Sequence, residues 1–254
     1  APALPGRHPV LLYSPGTVDP RTLGTSLAVD LASRGYLVVT MDHPGETSEV
    51  DIPGVGLRMF DMQGNPTMDP LLFRRFLDVR VADTRFVLDS LPTSALGRSV
   101  DLRHVGMYGH SAGGTTAALA MAADHRISAA INIEGFLDYL PENGAEFGDL
   151  MPIAENGTDR PLLLLGTDGY RSPRYDHGWN AMLTKSPCFV SVSRLTNAMH
   201  WVFTDFGSVV PQLQATGLMT EAQRDSLVGT ISPNRSVPWI RSTVAGFFAT
   251  HIRD

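Results

Sequence analysis

Between Val105 and Ala123 the chain leaves few conformations open. An apolar run, Val105-Gly106-Met107-Tyr108, passes through Gly109-His110-Ser111-Ala112-Gly113 into an alanine-rich run that ends at Ala123. The first run reads as a buried strand and the last as a helix. The G-x-S-x-G between them reads as a strand-to-helix turn, so tight that glycines two before and two after the serine are needed to relieve crowding. Such a turn lifts the Ser111 hydroxyl above the carboxyl end of its strand. The amino end of the next helix, which favours developing negative charge, points at it. Ser111 is therefore the candidate nucleophile. The competing reading of the same residues is a Gly-rich turn with a surface serine.

The rest of the chain repeats this alternation. Val10–Tyr13, Tyr36–Met41, Ile127–Ile133, Pro161–Leu165 and Cys188–Val192 are short apolar runs ended by turn residues. Helical spacing is expected over Leu23–Arg34, stopped by Gly35, over Phe73–Leu91 and over Trp239–His251. In Phe73–Leu91 the apolar positions are Phe76, Val79, Phe86 and Val87, with Arg75/Asp78 and Arg80/Asp83 as charge pairs within the helix. Continuous apolar strands alternating with helices predict an α/β fold, a mostly parallel sheet covered on both faces. Residues 44–72, rich in Gly, Pro and Met, read as a long loop or an excursion over the sheet, and 135–160 as a variable segment.

With 254 residues, 43% of them hydrophobic and 18% charged, one α/β domain over 1–254 is expected. A net charge of −6 with no Lys/Arg stripe argues against nucleic acid. No apolar run reaches the ~18 residues of a membrane span. Cys188 is the single cysteine, so no intrachain disulfide can form. Ala1 opens the sequence without Met or leader, which fits a mature secreted form or a shortened cytoplasmic chain; a soluble protein is expected, with its oligomeric state unread.

A serine hydroxyl needs a base within hydrogen-bond reach, and the base needs an orienting carboxylate, here in chain order Ser, acid, His. His200, in Thr196-Asn197-Ala198-Met199-His200-Trp201 after the last strand, stands where the base belongs; His177 precedes that strand and His251 lies in the terminal helix. Two carboxylates end strands in suitable places, Glu134 and Asp168, and the commoner placement favours Asp168. For the oxyanion, the Ala112 N–H supplies one donor. The second comes from Tyr13-Ser14-Pro15-Gly16-Thr17; Pro15 has no N–H, so Thr17 is the choice.

Taken together these segments resemble the platelet-activating-factor acetylhydrolase-like branch of the α/β-hydrolases, and the likeness runs over most of the chain. Tyr13-Ser14-Pro15-Gly16 is similar to that family's Ser-His-Gly loop, with Pro15 where His is usual. Gly35–Val39 with Asp42-His43-Pro44 resembles its second strand, Gly109–Gly114 its nucleophile elbow, and Met199–Phe206 its histidine segment. The resemblance implies an α/β-hydrolase fold and moves the acid to the strand directly after the serine helix, hence to Glu134, where Glu replaces the family's Asp. It also implies a structural role for His43.

The expected activity is a serine carboxylic-ester hydrolase, lipase- or esterase-like, working through an acyl-enzyme. No cofactor is implied, and no His/Asp/Glu spacing suggests a metal. The expected partner is a small ester with an apolar acyl or alcohol part, in a pocket to which Met59, Phe60, Phe136 and Trp201 contribute, although such residues serve equally as core. Acyl transfer, cyclisation or amide hydrolysis by the same triad, and binding without catalysis on the same scaffold, are the alternatives.

Overall fold

Six strands form the central sheet of the computed structural model, which describes residues 5–252. In chain order the elements are β1 (His8–Ser14), α1 (Thr25–Ser33), β2 (Leu37–Thr40), β3 (Glu49–Ile52), β4 (Gly56–Met59), α2 (Pro70–Ser90), β5 (Val100–His110), α3 (Ala112–Ala123) and β6 (Ile127–Ile133). They continue with α4 (Pro152–Asn156), β7 (Leu162–Thr167), α5 (Pro173–Lys185), β8 (Val190–Leu195), α6 (Phe206–Ala215), α7 (Glu221–Val228) and α8 (Pro233–His251). The sheet order is β2-β1-β5-β6-β7-β8, and every pairing in it is parallel. This is the α/β-hydrolase fold.

Strand alternation explains the two layers of core. Val10 and Leu12 of β1 face one cluster, packed by Leu88 of α2, Ala117 and Met121 of α3, and Met182 of α5. Leu11 and Tyr13 face the other, packed by Leu31 of α1, Val210 of α6, and Val244 and Phe248 of α8. Burial on both sides is why the strands lack a polar face.

The long segment between β2 and α2, expected over 44–72 as a long loop or an excursion over the sheet, carries regular structure. It contains the antiparallel hairpin β3–β4, with Val50 opposite Arg58, turned at residues 53–55. α2 opens before Phe73: Asp69 caps it by accepting from the Leu72 N–H at 3.0 Å, and Pro70 occupies the first turn, where a missing amide costs nothing. Its buried face is Phe73, Phe76, Leu77, Arg80, Thr84 and Leu88, so Val79 and Phe86, expected on that face, lie in solvent. α8 likewise starts six residues before Trp239, at Pro233, capped by Ser232, and runs on through Pro238.

Register places the chemistry. Ser14 lies level with Gly109, Gly109 with Asn132, and Ile133 with Leu165. The residues just beyond these ends therefore share one edge of the sheet. The chain places β2 on one side of β1 and returns on the other side of β1 with β5. The crevice between the loops after β1 and β5 is the place where such sheets bind ligands.

Candidate active site

Ser111 follows β5 directly and is the N-cap of α3. Its φ of 56° and ψ of −122° lie in a region that L residues rarely adopt, a strain on the order of 1–3 kcal/mol. The surroundings hold it there: the Ser111 N–H donates to the Ile133 carbonyl at 2.7 Å, and the Ser111 carbonyl accepts from Gly114 N–H at 2.8 Å. Glycine is required on either side. A Cβ at Gly109 would stand 2.2 Å from the Gly113 oxygen, and one at Gly113 would stand 1.9 Å from the Ser14 oxygen. The elbow thus packs backbone to backbone against the end of β1.

His200 opens a short 3₁₀ turn after β8. Its Nδ1–H donates to Glu134 Oε2 at 2.7 Å, leaving Nε2 as the basic nitrogen. The other carboxylate oxygen, Oε1, accepts from the Thr167 N–H at 2.7 Å and the Thr167 hydroxyl at 2.6 Å. Glu134 has φ of 54°, which turns its side chain from the end of β6 towards β7, and the Tyr175 hydroxyl holds its carbonyl. The sequence left the acid open between Glu134 and Asp168. The structure brings Glu134 to the histidine, whereas the Asp168 carboxylate accepts from the Asn197 N–H at 2.9 Å and the Ala198 N–H at 3.2 Å. Asp168 therefore shapes the turn that carries His200.

The imidazole is clamped as well as bonded. The His110 and Tyr170 rings lie 4.3 and 4.0 Å from it, centroid to centroid, and His110 Nε2–H donates to the His200 carbonyl at 3.0 Å. Burial disfavours charge on both members of the pair. It pushes the Glu134 carboxyl up to about 7, against the pull of Thr167, and the His200 imidazole down to about 4. The two titrate as a unit. Burial also holds His110 down at about 3, with His200 nearby adding to the effect.

Thr17, Asp19, Ser111, Tyr170, Met199, His200 and Trp201 line one cleft of 390 Å³. The loop after β1 reaches the serine: a Cβ on Gly16 would lie 3.4 Å from Ser111 Cβ. Thr17 and Ala112, the expected oxyanion donors, thus stand on the two sides of Ser111. Of the expected pocket residues, Trp201 lines this cleft. Met59 and Phe60 do not: they border a separate hollow at the hairpin with Ile52 and Leu57, because β4 pairs with β3 in a two-stranded sheet apart from the central one. Phe136 is taken up in packing, its ring 4.3 Å from Tyr175 and under the Arg174 guanidinium. A larger hollow, 570 Å³, opens beside the amino end of β7 among Thr158, Arg160 and Lys185, away from the serine.

Residues 2–50 match the family model of platelet-activating factor acetylhydrolase, isoform II. A probable 1-alkyl-2-acetylglycerophosphocholine esterase of Arthroderma benhamiae is 33% identical over 252 residues, covering 94% of this chain and 59% of the relative. The chain thus spans somewhat under two thirds of that relative's length. A ferulic acid esterase from Streptomyces cinnamoneus, solved at 2.4 Å, is 30% identical with a TM-score of 0.74, over 98% of this chain and 69% of that one.

The chain belongs to the α/β-hydrolase superfamily. Within it, the chain is related to the platelet-activating-factor acetylhydrolase-like and bacterial esterase families. TT1662 from Thermus thermophilus shares the fold at 14% identity and a TM-score of 0.57, over 96% of this chain and 90% of that one.

Three features of this α/β-hydrolase site escaped the sequence reading. Thr167, which bonds the Glu134 carboxylate, and Tyr170, which packs on the His200 ring, carry no local signal beyond lying at or just past the end of β7. Arg80 did carry one: a lone charge on the buried stripe of α2, spaced with Phe76, Leu77 and Thr84. It was expected to pair with Asp83, but its guanidinium turns inward to Glu46, while Asp83 meets His43. Finally, His110, Glu134 and His200 bring ligand atoms within 4.8 Å of one another, a donor set that a metal could use. Here His200 Nδ1 and the Glu134 carboxylate are already bonded to each other and to Thr167.

Proposed function

We propose that this chain is a serine carboxylic-ester hydrolase in which Ser111 is the nucleophile, His200 the base and Glu134 the acid. The 2.7 Å bond from His200 to a carboxylate anchored by Thr167, beside a strained serine in the same cleft, carries the reading. Ser111 Oγ attacks the ester carbonyl and gives its proton to His200 Nε2. Glu134 stabilises the imidazolium, and the Thr17 and Ala112 amides receive the oxyanion. The imidazolium then protonates the leaving alcohol, and a water activated by His200 releases the acid from the acyl-enzyme.

The cleft favours a small ester with an apolar part, seated against Met199, Tyr170 and Trp201. Two relatives bear the names of a probable 1-alkyl-2-acetylglycerophosphocholine esterase and a ferulic acid esterase, both of them esterases. A panel of p-nitrophenyl esters of increasing acyl length tests the reading. Turnover is expected to be highest for short acyl groups, and Ser111→Ala or His200→Ala should each lower kcat on the order of 10⁶-fold. Turnover that survives in either variant would refute it.

A further inference from the structure

Arg80 has no exposed side-chain surface, yet all five of its N–H groups are placed. Nε donates to Glu46 Oε2 at 2.8 Å, and Nη2 to Glu46 Oε1 and to the Gly16 carbonyl at 2.9 Å. Nη1 donates to the Pro15 carbonyl at 2.7 Å and to Ser14 Oγ at 3.2 Å. The Phe76 ring lies 4.7 Å beneath the guanidinium. A cation is rarely buried unless it is paired and hydrogen-bonded. Here what it holds is the loop beside Ser111.

The direction of those bonds matters. In a trans peptide the C=O and N–H point opposite ways, and no peptide among the described residues is cis. Drawing the Pro15 and Gly16 carbonyls onto Arg80 turns the Gly16 and Thr17 amides to the other side, the side of the cleft. The Asp19 carboxylate packs against Gly16, where a Cβ would stand 2.4 Å from its Oδ2, and Thr17 lines the cleft beside Ser111, which makes Thr17 N–H the donor for the reacting oxygen. Ser14 extends the network: its Oγ lies 2.9 Å from His43 Nε2, and His43 Nδ1 lies 2.7 Å from Asp83 Oδ2. This has the form of a second Ser-His-Asp relay, but Ser14 is wholly buried and accepts from Arg80, so it braces the loop and attacks nothing.

We propose that Arg80, fixed by Glu46, is a positioning residue that sets the oxyanion pocket by holding the Pro15 and Gly16 carbonyls away from Ser111. It rests on the hydrolase reading above. The test compares wild type with Arg80→Lys, Arg80→Met and the double variant Arg80→Met/Glu46→Gln, which leaves no buried carboxylate unpaired. Folded protein is quantified for each, and kcat and KM are measured on p-nitrophenyl acetate together with inhibition by a trifluoromethyl ketone, which binds as a tetrahedral oxyanion.

The double variant is expected to stay folded, to lose about 100-fold in kcat per folded molecule with KM nearly unchanged, and to bind the ketone more weakly by a similar factor. Arg80→Lys, a point charge able to hold fewer carbonyls, should fall between it and wild type. Wild-type kcat and ketone affinity in the folded double variant would overturn the proposal, as would a loss that merely follows the folded fraction. Ser111→Ala, run alongside, separates the two levels. If it hydrolyses as wild type does, the hydrolase reading fails and the role of Arg80 with it. If it is inert while the Arg80 variants are unimpaired, only the role of Arg80 fails.

Discussion

Glu134 and His200 carry their chemistry as a pair. The base-competent form, with Glu134 ionised and His200 neutral, is reached when the pair has released its last proton, so the rate should rise with pH along an acid limb. Glu134→Gln removes the anion that favours the imidazolium, and burial then lowers the histidine unopposed. The limb should move to lower pH while the plateau kcat falls by about 10³–10⁴-fold, as expected when the base loses its orienting charge. A pH–rate profile of both proteins checks the sign. Asp168→Asn should keep most of the activity, because its carboxylate braces residues 197 and 198 and does not touch the imidazole; a collapse of kcat in the folded variant would argue otherwise. Ser111, His200 and both carboxylates were legible as candidates because each follows a strand. The choice between the acids was legible only through the family resemblance, which favours Glu134; local residues did not give it, since it depends on the positive φ at Glu134 and on Thr167 meeting its side chain across β6 and β7.

At the scale of elements, the elbow and α2 are the most exacting parts. Gly113→Ala would drive a methyl into the Ser14 carbonyl and should destabilise the protein by roughly 1–3 kcal/mol or more. In α2, Leu77→Ala should cost about 2–5 kcal/mol, while Phe86→Ser, on the outer face, should stay within about 0.5 kcal/mol. Denaturant titration of the three variants reads these directly, and a large loss at Phe86 would mean the helix is rotated. The strands were legible because both faces are buried, so their apolar runs are unbroken. The buried face of α2 was misread because the apolar side chains Val79 and Phe86 point outward while a charged one, Arg80, points in. α7 begins with a cap, Thr220, but buries only Val228, so apolar periodicity gave it no signal; α5, capped by Ser172, does bury Tyr175, Trp179 and Met182 at helical spacing, a signal that the reading passed over.

For the molecule as a whole, a parallel sheet gathers groups from remote parts of the chain at one edge. Ser111, Glu134, Thr167 and His200 lie at or just beyond the ends of four successive strands, and the loop after β1 closes on the serine from the far side of the switch in strand order. No described helix is long and apolar enough to cross a membrane. The fold class was legible from alternation alone. The extent of the cleft was not, because the apolar residues of 57–60 went to a hairpin bordering a different hollow and Phe136 went to the packing around Tyr175.

The central claim is that Ser111 is activated. Intact-mass analysis after treatment with a fluorophosphonate tests it with no assumption about substrate. The account predicts one adduct on the wild-type protein, mapped to the peptide containing Ser111, and none on Ser111→Ala. A folded wild type that takes up no adduct, or an adduct that persists in Ser111→Ala, would contradict it.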